Sequence, residues 1–346
     1  MRRRAILLLC AFLVLGAACT SRKPSVQVDS ARLGIFKALP PVMDSAANPI
    51  TEEKVDLGRM LYYDPRLSRS QDVSCNSCHE LSKYGVDNQP VSDGDKGQKG
   101  TRNAPTVYNA AGHFVQFWDG RAPTVEEQAK GPILNPVEMA LPNEQRAVTV
   151  LTSMPEYVAA FQKAFPGEKH PVTFDNLAKA IGAFERKLVT VSRWDKFLGG
   201  DQAALSDQEK AGLNKFLDAG CQNCHNGIYV GGSMFQKLGL ARPWDNANDP
   251  GRFAVTKQEA DRMVFKVPTL RNIEKTAPYF HDGSIATLEE AVRKMADHQL
   301  ARTLSKEEAD SIVTFLKALT GELPGEYIKE PPLPKSTGKT PPPDKA

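Results

Sequence analysis

Two short motifs each place two thiols and an imidazole within five residues of one another. They are Cys75-Asn-Ser-Cys78-His79 and Cys221-Gln-Asn-Cys224-His225. The Cys-x-x-Cys-His spacing is typical of sites where a c-type haem is attached through two thioethers, with the histidine as an iron ligand. One such motif alone could be half of a zinc site, but here two copies use four of the six cysteines. The sequence therefore predicts two covalently bound haem c groups.

The ligand opposite each histidine decides what that haem can do. A filled position suits electron transfer, whereas an open position permits chemistry at the iron. For the second haem, three downstream methionines offer the thioether sulfur that raises the potential of a c-type iron: Met234, Met263 and Met295. Met234 follows His225 too closely to reach the opposite face. Met295 lies just before the last predicted helix, and we favour it over Met263 as the second ligand beside His225.

Helices must position both motifs. A pattern that opens at Thr51 predicts a helix ending near Asp64, and another begins at Thr173 with a buried apolar stripe. Capping boxes at Ser206 and Ser305 open two further helices, one just before the second motif and one ending near residue 321. We predict an all-α fold of two cytochrome c-like domains, each around one haem.

The composition divides the chain into five parts. Residues 1–18 carry an N-terminal arginine run and an apolar stretch shorter than the ~20 residues of a spanning helix, which is typical of a signal peptide. Residues 19–50 form a tether and an arm, residues 51–190 the first haem domain and residues 191–322 the second. Residues 323–346, rich in proline and lysine, predict an extended and disordered tail.

The N-terminal signal predicts export to the periplasm, an oxidising compartment where c-type haem is assembled. Cys19 ends a lipoprotein-like cleavage box, so we expect a lipid anchor there; the alternative is an ordinary cleaved signal in which Cys19 has no role. The formal charge of +3 comes from the three arginines of residues 1–18, so the mature chain is neutral overall. That balance gives no support to nucleic-acid binding.

From about Leu57 to Gly321 the chain resembles the bacterial dihaem cytochrome c peroxidases. The resemblance rests on several blocks: Gly85-Val-Asp87-Asn, Arg102-Asn103-Ala-Pro-Thr106, Gln116-Phe117-Trp118-Asp119-Gly-Arg121, Glu127-Gln128-Ala-Lys-Gly-Pro132, Val137-Glu138-Met139, Phe265-Lys-Val-Pro-Thr-Leu-Arg271-Asn272 and Ala277-Pro-Tyr-Phe-His281-Asp-Gly283. It implies that hydrogen peroxide is reduced at the first haem and that electrons enter at the second, from a small periplasmic cytochrome c or copper protein. It also implies Met295 as a ligand and a homodimer.

The resemblance also assigns individual residues. Glu138 and Gln128 match polar groups of the peroxide pocket, where one placed acid-base group contributes roughly 10²–10⁴-fold in rate. Trp118 matches a tryptophan between the haems, although a core aromatic is the simpler alternative. A calcium ion at the domain interface is implied by three matches: Asn103, Thr276 and Pro278. Oxygen atoms are the ligands that calcium prefers.

One departure from the family pattern bears on mechanism. Many members carry a histidine beyond the first motif that occupies the peroxide face of the resting enzyme, and here that position is Asp95. His113 is the next histidine along the chain, but it lacks the family position. We expect an open or water-bound site on the first haem. Two alternatives remain. One is an enzyme like the dihaem maturase of methylamine dehydrogenase, which Asp95 favours and Met295 disfavours. The other is a non-catalytic electron-transfer cytochrome, which the pair of Gln128 and Glu138 disfavours.

Overall fold

A computed structural model describes residues 25–344, so the expected signal peptide and Cys19 lie outside the described residues. The described chain is mainly helical, as predicted. Its α-helices are α1 Ser30–Leu33, α2 Glu52–Tyr63, α3 Cys75–Cys78, α4 Val125–Leu134, α5 Glu144–Thr152, α6 Pro155–Ala164, α7 Phe174–Glu185, α8 Arg193–Leu198, α9 Asp207–Ala219, α10 Phe253–Thr256, α11 Leu288–Leu300 and α12 Lys306–Lys317. The strands β1 Phe235–Lys237 and β2 Val264–Lys266 pair antiparallel. Within residues 25–344 no helix is long and apolar enough to cross a bilayer.

The first domain is built on the crossing of α2 and α7. Thr51 and Thr173 cap these helices through their side-chain oxygens, as their positions predict. Gly58 lies at the crossing, where an added Cβ would stand 1.9 Å from the Ala180 carbonyl oxygen. The two backbones therefore approach as closely as they do only because residue 58 has no side chain.

The second domain repeats this arrangement with α9 and α12. The capping boxes at Ser206 and Ser305 are both formed. Gly212 takes the place of Gly58, because a Cβ there would lie 2.0 Å from the Ser311 carbonyl oxygen. Helix α12 ends at Lys317, earlier than the sequence pattern predicts, and Gly321 instead forms a bridge with Ser192 at the domain boundary.

The two chain ends pack on opposite domains. The arm that precedes the first domain lies on the second, where Phe36 joins the core around Trp194. The tail that follows the second domain lies on the first, where Tyr327 stacks on Phe184 at 5.1 Å and donates its hydroxyl to the Phe184 carbonyl. The tail is extended but packed rather than disordered. Apolar side chains between its prolines, at residues 323, 327, 328 and 333, contact the first core.

Candidate active site

The first motif forms one helical turn at the mouth of a cavity. Ser74 and Ser77 make a capping box that begins α3, so the two cysteines and His79 face the same side. Nδ1 of His79 lies 3.3 Å from the Gly85 carbonyl oxygen, which makes Nδ1 the donor and leaves Nε2 as a free ligand atom. This first cavity, lined by Cys75, Cys78 and His79, holds about 1530 Å³ of empty space, its opening to solvent included.

The second motif begins a 3₁₀ turn directly after α9. The turn carries both cysteines and His225 to the wall of a second cavity of about 1480 Å³, opening included. Met295, on α11, lines the same cavity. Met263 instead packs with Trp244 and Phe265 in a separate core cluster, so of these two methionines the structure brings Met295 beside His225.

Both cavities have the donors that haem c requires. The four motif cysteines are free thiols. Burial lowers the pKa of His225 to about 4, so its imidazole is neutral and able to bind iron, and its buried Nδ1 has no protein partner. The residues therefore fit one haem each, with thioethers from the cysteines and iron ligation by His79 and His225.

Two of the predicted polar residues line the first cavity with His79. Gln128 lies on α4, and Glu138 follows in the turn that Pro136 imposes after that helix. Asn135 fixes the carboxylate by donating its Nδ2 to Oε1 of Glu138 at 2.8 Å. Burial raises the pKa of Glu138, although the charge of Arg121 and the Asn135 hydrogen bond act against this rise. The carboxyl group therefore holds its proton at higher pH than an exposed glutamate does.

Trp118 lies between the cavities and lines both of them. Its indole N–H donates to the Asn103 carbonyl at 3.0 Å, which fixes the ring plane. Asn103 also lines both cavities, while Thr276 and Pro278 line the second. The three residues implied for calcium thus all line the second cavity. Among residues 25–344 there is no cluster of three His, Cys, Asp or Glu side chains suited to a metal, so any calcium here relies on amide, hydroxyl and carbonyl oxygens.

Comparison with known proteins decides the family. Residues 52–203 match the model of the di-haem cytochrome c peroxidase family. Cytochrome c551 peroxidase of Nitrosomonas europaea is 50% identical to this chain over 90% of it and 92% of that protein. The chain belongs to the di-haem cytochrome c peroxidase family. Cytochrome c551 peroxidase of Pseudomonas aeruginosa is 48% identical, over 89% of this chain and 90% of that one.

A solved structure agrees with the family assignment. The crystal structure of a MauG-like protein associated with microbial copper homeostasis matches with a TM-score of 0.76 and 30% identity, covering 86% of this chain and 98% of that one. The predicted family and the predicted enzyme class, cytochrome-c peroxidase, are confirmed by these relatives. Membership of a di-haem family also implies the two haem c groups for which the cavities have donors.

Asp95 does not line the first cavity, although it stands at the position of the family histidine. It is fully buried, and its Oδ1 accepts hydrogen bonds from the Ser70 hydroxyl at 2.6 Å and the Ser70 amide at 3.2 Å. Its backbone amide donates to the Glu138 carbonyl at 2.6 Å. The side chain thus ties its own loop to the loop of Ser70, while the backbone amide ties it to the turn that carries Glu138. His113 does line the cavity, at its boundary with the second domain.

Two buried groups of the site escaped the sequence reasoning. Glu185 ends α7 and lines the first cavity, and burial raises its pKa to about 8. The sequence pattern could have identified Glu185, because it falls on the apolar face of the helix defined by Ile181 and Leu188, where a carboxylate is unexpected. Lys266 lines both cavities from β2. Its signal was weaker, because a lysine in a short strand is ordinarily exposed.

Proposed function

We propose that this chain reduces hydrogen peroxide to water in the periplasm, with electrons from a small cytochrome c or copper protein. Haem c supplies an iron that binds peroxide at one site and passes single electrons at the other. The observation that carries the proposal is the unequal lining of the two cavities. Glu138 and Gln128 accompany His79 in the first, whereas Met295 accompanies His225 in the second.

The chain's own residues handle the protons. The overall reaction consumes one peroxide, two protons and two electrons and yields two waters. Cleavage of the O–O bond requires a proton to move from the inner to the outer oxygen, and Glu138 accepts and returns that proton at its carboxylate. Its raised pKa brings it closer to the working pH, where an acid-base group is most effective. Gln128 orients the peroxide by hydrogen bonding.

The second domain accepts electrons from the donor. His225 and Met295 would hold the iron of the second haem, and a thioether ligand would exclude peroxide from that iron and keep its potential high. Trp118 lines both cavities, and we assign its ring to electron passage between them. Calcium bound by Asn103, Thr276 and Pro278 would stiffen the lining of the second cavity. We also propose a homodimer, anchored to a membrane through a lipid on Cys19.

The first haem is proposed to keep an open or water-bound position in the resting enzyme. The support is the identity and placement of Asp95, which stands at the family histidine position and is held by Ser70 outside the cavity lining. Peroxide can then bind the first haem of the fully oxidised enzyme. Prior reduction of the second haem, which would otherwise have to displace a histidine from the peroxide face, is unnecessary for activation or has a much weaker effect.

A maturase-like oxidation of a partner protein is the second candidate. It is favoured by Asp95, because the maturase also lacks the histidine that occupies the peroxide face in many family members. The similarity to a MauG-like structure favours it as well. It is disfavoured by Met295, because a thioether does not support a highly oxidised second iron.

One assay separates these candidates. The half-reduced holoprotein is mixed with hydrogen peroxide, and oxidation of a reduced small cytochrome c is followed. We expect sustained turnover that falls roughly 10²–10⁴-fold in Glu138→Gln. Glu127→Gln is the matched control, because Glu127 is exposed on α4 and pairs with Lys130. Unchanged turnover in Glu138→Gln would refute the proton role, and oxidising equivalents retained without donor consumption would favour the maturase-like function.

A further inference from the structure

Lys266 is a buried cation between the two cavities. It is the last residue of β2, it is 8% exposed, and its backbone amide donates to the Trp118 carbonyl at 2.7 Å. The side chain lines both cavities. This position is unusual for lysine, which is rarely buried without a partner of opposite charge.

Its ammonium has hydrogen-bond partners but no counter-charge. Nζ donates to the Val115 carbonyl at 3.1 Å and lies 3.3 Å from Nδ1 of His113. Within residues 25–344 no carboxylate forms an ion pair with it; Asp119, the carboxylate that acts on its charge, is engaged by Arg102 and Arg121. Burial consequently lowers the pKa of Lys266 to about 8, with Asp119 only partly offsetting the effect. A buried ammonium in this state is costly unless an anion joins it.

His113 extends the same donor group into the first cavity. It is 8% exposed and lines the first cavity only. Because the ammonium donates to Nδ1, the ring proton sits on Nε2, and that buried atom has no protein partner. Gly232 and Tyr229 hold the ring, since a Cβ at Gly232 would stand 2.6 Å from it and Tyr229 packs edge-on at 5.1 Å.

We propose that Lys266 binds a propionate carboxylate of the first haem, with the His113 ring accepting from the same ammonium and holding it in place. The ammonium offers the carboxylate a charge-assisted hydrogen bond, and hydrogen bonds of this kind are the strong ones. The propionate supplies the anion that the buried lysine lacks. The first haem is chosen because His113 does not line the second cavity. The inference rests on haem binding in the first cavity, which is part of the proposed function.

The pair has an electrostatic consequence for that haem. A fixed cation beside a propionate disfavours the more positive ferric state, so it raises the reduction potential of the first haem. Removing the cation lowers this potential, and the second haem responds less. Lys266 and His113 act through the propionate and are therefore positioning residues.

The test measures both midpoint potentials by spectroelectrochemical titration of the purified holoprotein, together with haem content. Lys266→Met is expected to lower the potential of the first haem more than that of the second, and His113→Phe to lower it by a smaller amount. Lys266→Arg keeps the charge and should stay near the wild-type value. Exposed Lys163→Met is the matched control and should shift neither potential.

Two results would overturn the inference: unchanged potentials in a fully haem-loaded Lys266→Met protein, or a shift confined to the second haem. If Lys266→Met fails to fold, His113→Phe still decides the matter, since a wild-type potential of the first haem in that fully loaded variant contradicts the inference. The outcome is separable from that of the proposed function. Failure of the peroxidase assay leaves the potentials measurable, and full peroxidase turnover does not depend on where the propionate binds.

Discussion

Replacing Asn135 by alanine should raise the pH at which Glu138 titrates during turnover. The Asn135 amide donates to Oε1 of Glu138 at 2.8 Å and thereby favours the ionised carboxylate over its protonated form. Without this bond the carboxyl group keeps its proton to higher pH. The acid limb of the pH-rate profile, where Glu138 must lose a proton to act as a base, should move upward.

The size of the shift follows from the kind of bond. A hydrogen bond to a charged group contributes about 1.5–3 kcal/mol, and one pKa unit corresponds to about 1.4 kcal/mol. Glu138 and Asn135 are half-buried, so water replaces part of the lost interaction. We therefore expect an upward shift of about one pH unit, near the lower end of that range.

The assay is steady-state oxidation of reduced cytochrome c by hydrogen peroxide from about pH 4 to pH 9, analysed as kcat/KM for peroxide. Asn143→Ala is the control, because Asn143 likewise caps a helix, α5, by accepting from Arg146 N–H at 3.0 Å, but does not contact Glu138. An acid limb that stays in place in Asn135→Ala, in a protein whose Glu138→Gln variant is inactive, would refute the reasoning. A downward movement would refute it as well.

Three further predictions concern stability and the resting state. In urea unfolding, Gly212→Ala should destabilise the holoprotein by about 1–3 kcal/mol or more, because the new Cβ would lie 2.0 Å from the Ser311 carbonyl oxygen. Gly338→Ala is the control and should leave the free energy of unfolding unchanged, because the space around Gly338 is open. Glu185→Gln should gain stability over the wild type as pH rises from about 4.5 to about 8, by a few kcal/mol at most, because the folded protein keeps the Glu185 proton that the unfolded chain releases; a gap independent of pH would contradict this. Asp95→Ala should cost about 1–3 kcal/mol through the lost Ser70 bonds yet leave the spin state of the first haem unchanged; a changed spin state would contradict the placement of Asp95 outside the cavity.

The helical frame was predictable because its signals are local. Thr51, Ser206 and Ser305 announce helix starts through side-chain capping, and each is the observed cap. The motif spacing is a local signal as well. Because a single turn spans each motif, the spacing alone predicts that its two cysteines and its histidine lie close together. Met295 remains a predicted ligand, based on its place before the last helix and on the family resemblance, and the structure places it in the second cavity with His225.

What the sequence did not predict depends on contacts between distant segments. The tail reads as disordered because proline and lysine dominate it, yet Tyr327 and a few aliphatic side chains pack it on the first domain. Lys266 and His113 meet across 153 positions of sequence, so neither residue signals the other. Glu185 differs, because its place on the buried face of α7 was visible in the helical period and was overlooked.

We propose that the two irons are coordinated unequally, with sulfur and imidazole at the second and an open or water-bound position at the first. Electron paramagnetic resonance of the fully oxidised holoprotein distinguishes these two kinds of coordination. Unequal coordination predicts a high-spin ferric signal from the first haem beside a low-spin His225–Met295 signal, before any reductant is added. A low-spin signal from the first haem with two nitrogen ligands in that fully oxidised state would contradict it.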